Sequence, residues 1–143
     1  MDQHTCSTER RGQDRVDDVP FWLGRARDLL HERCGSTVRM SVIAGDVGIH
    51  PVHLSRSFRR YFGVTMRAYL RDLRVRRACD ELRRTEHSLS RIAIATGFAD
   101  HAHFTRTFKG VHGLTPREYR RRERRHPIGG DCAPPWSTFG AGE

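Results

Sequence analysis

The chain is almost without lysine: Lys109 stands alone among 26 basic residues, the rest being arginine. Paired cysteines are missing too. Cys6, Cys34, Cys79 and Cys132 lie far apart with no CxxC spacing, and the length exceeds that of small disulfide-framework proteins. The opening stretch MDQHTCSTERRGQD lacks the apolar core of a signal peptide. No apolar run approaches the roughly 18–20 residues that cross a bilayer. These absences predict a cytoplasmic protein with reduced thiols and no membrane partner. A Gly-rich phosphate loop, GxSxG, HExxH and paired acids in a plausible pocket are all lacking, so neither an enzyme nor a cofactor is expected. Of nine histidines, His50 with His53 and His101 with His103 invite a metal, but no Cys or carboxylate stands at ligand spacing and none is expected. Cys79 reads as a small buried apolar residue.

What the chain has is positive charge, unevenly placed. Net charge is +9 and the sequence pI near 10.6. Residues 21–126 hold 23 basic and 10 acidic residues, a net +13, while residues 1–20 and 127–143 are each −2. A basic centre between acidic ends points to a polyanionic partner met by the centre alone. Charge by itself leaves open a merely solvated, arginine-rich surface.

The most informative stretch is residues 88–116, SLSRIAIATGFADHAHFTRTFKGVHGLTP. Leu89, Ile92 and Ala93 fall on one helical face. Gly97 suits a left-handed cap, since a residue without a Cβ takes positive φ cheaply. Asp100 is placed to cap a second helix, which buries Phe104 and Phe108 and turns His101, Thr105, Arg106 and Lys109 outward. Two short helices across a tight turn, the second studded with donors, make a helix-turn-helix suited to a major groove.

Around it the chain reads as all-α. Residues 1–19 are polar and expected to be disordered. A helix begins near Pro20, with Phe21, Trp22, Ala26, Leu29 and Leu30 as its apolar stripe, and ends near Cys34-Gly35. Val42, Ile43, Ala44 and Val47 form a short helix up to Gly48. The next starts at His50-Pro51, with Leu54, Phe58 and Tyr61 or Phe62 inward, and ends at Gly63. A long helix over 65–84 uses Tyr69, Leu70, Leu73, Ala78 and Leu82, with Thr65 as cap. Thr115-Pro116 opens a last helix anchored by Tyr119, whose Arg120, Arg121, Arg122, Arg124 and Arg125 run out as a basic end. From 127 to 143 a Gly- and Pro-rich flexible tail is expected, its Trp136 and Phe139 exposed.

An internal repeat organises these pieces. Ile43-Ala44 and Gly48-Ile49 recur 49 residues later as Ile92-Ala93 and Gly97-Phe98. Leu54, Phe58, Gly63, Thr65 and Tyr69 recur 50 residues later as Phe104, Phe108, Gly113, Thr115 and Tyr119. The extra residue falls in the second turn, near Ala99-Asp100. The expected architecture is therefore about seven helices in two helix-turn-helix lobes, 36–63 and 88–113, joined by the linker helix 65–84 and closed by a helix over 115–126. A linker of about 20 residues is roughly 30 Å long, close to the ~34 Å of one DNA turn. Two recognition helices could then enter successive major grooves. Because they differ in sequence, the expected target is asymmetric and covered by a monomer.

These residues resemble the DNA-binding domain of the AraC family of bacterial transcription regulators, over residues 36–126 and, taken with the first helix, over 20–126. The resemblance rests on Arg74-VRRACDELRRT, Ile92-AIATGF and Phe104-TRTFKGVHGLTPREYR, with Leu54-SRSFRRYFG and Tyr69-LRDLR in the first half. It implies a sequence-specific regulator, usually an activator that works with RNA polymerase. Carried over by position, base-facing candidates are Val52, Ser55 and Arg56 in the first unit, and His101, Thr105 and Arg106 in the second. Arg59, Arg60 and Lys109 are candidates for phosphate, which sets register without reading sequence. The family often caps the first recognition helix with Ser; here stands His50, a poorer cap, and Val52 offers no hydrogen bond to a base. The second unit is thus the expected better reader. The 35 residues before Ser36 are too few for the family's separate effector domain. That implies the short stand-alone type, or a fragment of a longer effector-responsive regulator. The rival function is an interaction protein, or a non-specific nucleic-acid binder, that keeps the fold.

Overall fold

The computed structural model describes residues 19–127. The segments expected to be disordered or flexible, with Trp136 and Phe139, lie outside the described residues except for their inner ends, Val19 and Pro127. Among the described residues the regular elements are seven α-helices: α1 (Phe21–Arg33), α2 (Met40–Val47), α3 (Pro51–Phe62), α4 (Met66–Arg84), α5 (Leu89–Ala95), α6 (His101–His112) and α7 (Pro116–Arg125).

Helix α4 threads two separate cores. Its first half gives Met66, Leu70 and Leu73 to a core with Leu23, Ala26, Leu30, Ile43, Leu54, Phe58 and Phe62. Its second half gives Val75, Ala78, Cys79 and Leu82 to a core with Ile92, Phe98, Phe104, Phe108 and Tyr119. The first lobe is thus α1, α2, α3 and the start of α4, and the second is the end of α4, α5, α6 and α7.

The sequence repeat is a structural repeat down to ring geometry. Phe58 meets Tyr69 edge to face at 5.4 Å and 76°, and Phe108 meets Tyr119 at 5.3 Å and 76°. Helix α7 therefore stands on the second lobe as α4 stands on the first. Both turns close alike. Gly48 N–H donates to the Gly45 carbonyl and Ile49 N–H to that of Ala44; Gly97 and Phe98 donate likewise to Ile94 and Ala93. This pairing is the Schellman pattern, which needs a left-handed residue at the glycine. Gly48 sits at φ 71° and Gly97 at φ 89°.

Two apolar expectations fail at helix starts. Phe21 is 89% exposed, and Leu23, at 0%, takes its place in the core. Phe21 is the first residue of α1, and the face that closes on the lobe is Leu23, Ala26 and Leu30, spaced three and four apart. Val42 is exposed for the same reason, because Ile43 and Ala44 hold the buried face of α2. Of the alternatives at the end of α3, Phe62 is buried and Tyr61 half-buried. No described helix is long and apolar enough to cross a membrane.

Candidate nucleic-acid interface

Helices α3 and α6, the second helices of the two helix-turn-helix units, each have 12 residues and no acidic one. The core takes Leu54, Phe58 and Phe62 from α3, and Phe104 and Phe108 from α6. Helical periodicity then turns the polar positions outward. Val52, Ser55, Arg56, Arg59 and Arg60 are exposed on α3; His101, Arg106 and Lys109 are exposed on α6, with Thr105 half-exposed. A shift of 50 residues superposes Ser55 on Thr105, Arg56 on Arg106, and Arg59 on Lys109. The two helices therefore present a hydroxyl, a guanidinium and a second cation in one order. Arg56, Arg59, Arg106 and Lys109 form no ion pair among the described residues. By the same shift Pro51 corresponds to His101, Val52 to Ala102 and Arg60 to Gly110, so the units differ at both ends of the helix and agree in its middle.

The helix starts differ as the sequence predicts. Asp100 accepts the His103 N–H at 2.7 Å. His50 Nδ1 accepts the Val52 N–H at 3.3 Å, a longer bond made one residue earlier in the helix. A carboxylate also meets the positive end of the helix dipole better than an imidazole does. The histidines once suggestive of a metal have other neighbours. The His53 ring lies 5.5 Å from Trp22, His103 lies 5.5 Å from Phe98, and His101 Nε2 is 3.5 Å from the Thr105 hydroxyl.

Three residues beside α6 escaped the sequence reading. A groove between the lobes is lined by Arg39, Arg67 and Arg71 together with His103 and Thr107, and it continues past Asp72 to Arg106. Arg67 and Arg71 lie one turn apart on α4, off the face that enters the cores. That spacing was the available signal. Arg71 is held at 3.3 Å by the buried carboxylate of Asp72.

One member of the expected basic end of α7 has other work. Arg120 donates to the carbonyl of His87 at 2.8 Å and to those of Leu82 and Thr85 at 3.4 Å, so it closes the C-terminus of α4, where carbonyls lack intrahelical partners. At the start of α7, Glu118 and Thr115 exchange hydrogen bonds in a capping box. Those bonds hold the Glu118 carboxyl below the usual carboxylate range.

Known proteins repeat this arrangement. The sequence pattern of the helix-turn-helix domain family matches residues 43–122. The chain is 40% identical over 75 residues to the HTH-type transcriptional activator RhaR of Yersinia pseudotuberculosis and Yersinia pestis, a match covering 52% of this chain and 26% of RhaR. It thus spans about a quarter of the length of those relatives. It is 30% identical over 108 residues to the Transposon Tn10 TetD protein of Escherichia coli, covering 76% of this chain and 73% of TetD. Among solved structures, a transcriptional regulator with an AraC-type DNA-binding domain from Chromobacterium violaceum superposes with a TM-score of 0.68 at 31% identity, over 76% of this chain and 95% of that one.

Proposed function

The chain belongs to the AraC family of helix-turn-helix DNA-binding transcription regulators, and we propose that it reads an asymmetric site through two recognition helices in successive major grooves. The observation that carries this reading is the matched pair of cationic faces. Ser55, Arg56 and Arg59 on α3 recur as Thr105, Arg106 and Lys109 on α6, at the two ends of a single 19-residue helix. At 1.5 Å per residue α4 is about 28 Å long, near the ~34 Å of a DNA turn. One molecule then covers two subsites. Arg56 and Arg106 are the proposed guanine readers, since a guanidinium bonds both O6 and N7. Val52, Ser55, His101 and Thr105 complete the base-facing set, while Arg59, Arg60 and Lys109 hold phosphate. Arg39, Arg67 and Arg71, between the units, add phosphate contacts.

The outcome proposed for binding is activation, through RNA polymerase recruited to DNA in the cytoplasm. Support comes from RhaR, which is named a transcriptional activator. Gel shifts at rising salt with random competitor DNA test the DNA reading. A specific regulator keeps a protected asymmetric site of about 20 base pairs at salt that strips non-specific complexes. Equal collapse on every sequence would leave a non-specific binder or an interaction protein that merely retains the fold.

A further inference from the structure

The two lobes touch beside the point where α4 passes from one core to the other. Leu73 is the last residue of α4 in the first core and Val75 the first in the second. Arg74, between them, faces neither core. Its Nε donates to the Cys34 carbonyl at 2.9 Å and its Nη2 to the Ser36 carbonyl at 2.8 Å. Those carbonyls belong to the loop that follows α1 in the first lobe. The same loop lies on the turn of the second helix-turn-helix. A Cβ at Gly97 would stand 2.3 Å from the Cys34 carbonyl oxygen and 2.8 Å from Arg74 Nε, and one at Gly35 would stand 3.2 Å from the Ala95 carbonyl oxygen. The 34–36 loop of the first lobe and the 95–97 turn of the second thus meet at one guanidinium carried by α4. Burial pulls the Arg74 pKa below its usual value, yet an arginine stays charged, so both bonds are charge-assisted and stronger than neutral ones.

We propose that Arg74 is a positioning residue that locks the two helix-turn-helix units at one mutual angle and so sets the spacing between subsites that the protein accepts on DNA. This rests on the two-groove reading above. Two binding modules on one chain gain avidity only when their geometry allows simultaneous engagement. A single base pair added between subsites moves the second by about 3.4 Å and turns it by roughly 35° around the axis. A locked pair of lobes cannot follow that turn, whereas a loosened pair can.

The test uses the full chain, Arg74→Ala, Arg74→Lys, and Gly35→Val, a wedge placed at the junction and outside both helix-turn-helix units. Residual dipolar couplings from α2–α3 and α5–α6 amides report lobe orientation without DNA. One common alignment tensor is expected for the natural protein, two for Arg74→Ala and Gly35→Val, and partial restoration in Arg74→Lys. The DNA probe is a duplex recovered from a random-sequence library by the natural protein, with zero, one or two base pairs inserted between the half-sites, and each half-site alone. The natural protein should lose about tenfold or more in affinity per insertion. Arg74→Ala should bind the parent duplex more weakly, discriminate among insertions by about threefold or less, and bind isolated half-sites unchanged. A common tensor and an unaltered spacing profile in both Arg74→Ala and Gly35→Val would overturn the proposal. If the tensors separate in the variants but the natural protein already ignores the insertions, the lock stands and the two-groove reading beneath it fails.

Discussion

The Asp100 carboxylate accepts the backbone N–H of His103 at 2.7 Å and so closes the start of α6. In the first unit the corresponding place is filled by His50, 3.3 Å from the Val52 N–H. Asp100→Ala should cost about 1 kcal/mol, and His50→Ala less, because a capping side chain contributes what its hydrogen bond and charge give the free N–H groups. His50→Asp should add about 0.5 kcal/mol. Urea unfolding of the three variants checks the ranking; equal losses at both caps would contradict it.

Phe108 is fully buried and packs at once on Phe104, His112 and Tyr119, with ring centroids 5.7, 4.8 and 5.3 Å away. Phe108→Ala should cost about 3–5 kcal/mol and melt the second lobe, while the first keeps its core. Amide exchange read residue by residue should show protection lost in α5–α7 and retained in α1–α3. A variant that stays folded and loses only DNA affinity would mean that Phe108, not its neighbours, faces the ligand.

Acid should loosen the first lobe through His31. His31 is exposed at its edge and only partly desolvated against Tyr69, and that partial burial first, then the charge of Arg27, lowers its pKa below the usual 6.5; its Nε2 lies 2.8 Å from the Tyr69 hydroxyl. The unfolded chain then binds more protons than the folded one between the two values. Stability is accordingly full above pH 6.5 and is lost as pH falls toward the lowered folded value. Thermal melts from pH 8 to 5 should show Tm falling below about 6.5, with a shallower fall in His31→Gln. Identical profiles would remove His31 from the pH response.

Arg106 and Lys109 lie three residues apart on the exposed face of α6 and should fail differently. Arg106→Ala should cost about 1–3 kcal/mol and relax base preference in one half of the site. Lys109→Ala should weaken binding to all sequences alike and lower the salt slope by about one. Binding selection from randomised duplexes, repeated at two salt concentrations, separates these effects. Unchanged preference at every position in Arg106→Ala would take it out of the reading set.

The features legible in the sequence were those fixed by local chemistry repeated twice. Gly48 and Gly97 announce left-handed turns, Asp100 and Thr115 announce helix starts, and Phe104 with Phe108 announces a buried face. Each depends on neighbours a few residues away, so spacing alone reveals it. The exposed faces followed by subtraction, because Arg56 and Arg106 occupy positions the cores do not use. Phe21 and Val42 misled because apolar character says nothing about which side of a helix start closes on the lobe. Arg120 reads as part of the basic end of the last helix, and nothing local marks Arg74 as bonded. Their partners are main-chain carbonyls 33 to 40 residues away, and carbonyls leave no mark in a sequence. Arg67 and Arg71 were visible as a helical pair, but their place beside α6 depends on how the lobes meet.

The most direct test is a hydroxyl-radical footprint of the full chain on a duplex recovered from a random-sequence library, read at single-nucleotide resolution. Two unequal protected subsites should appear about one helical turn apart on one face of the duplex. Substitution at Arg106 should open one of them and substitution at Arg56 the other. Protection of a single subsite, or of two related by a two-fold axis, would contradict reading by a pair of dissimilar units within one molecule.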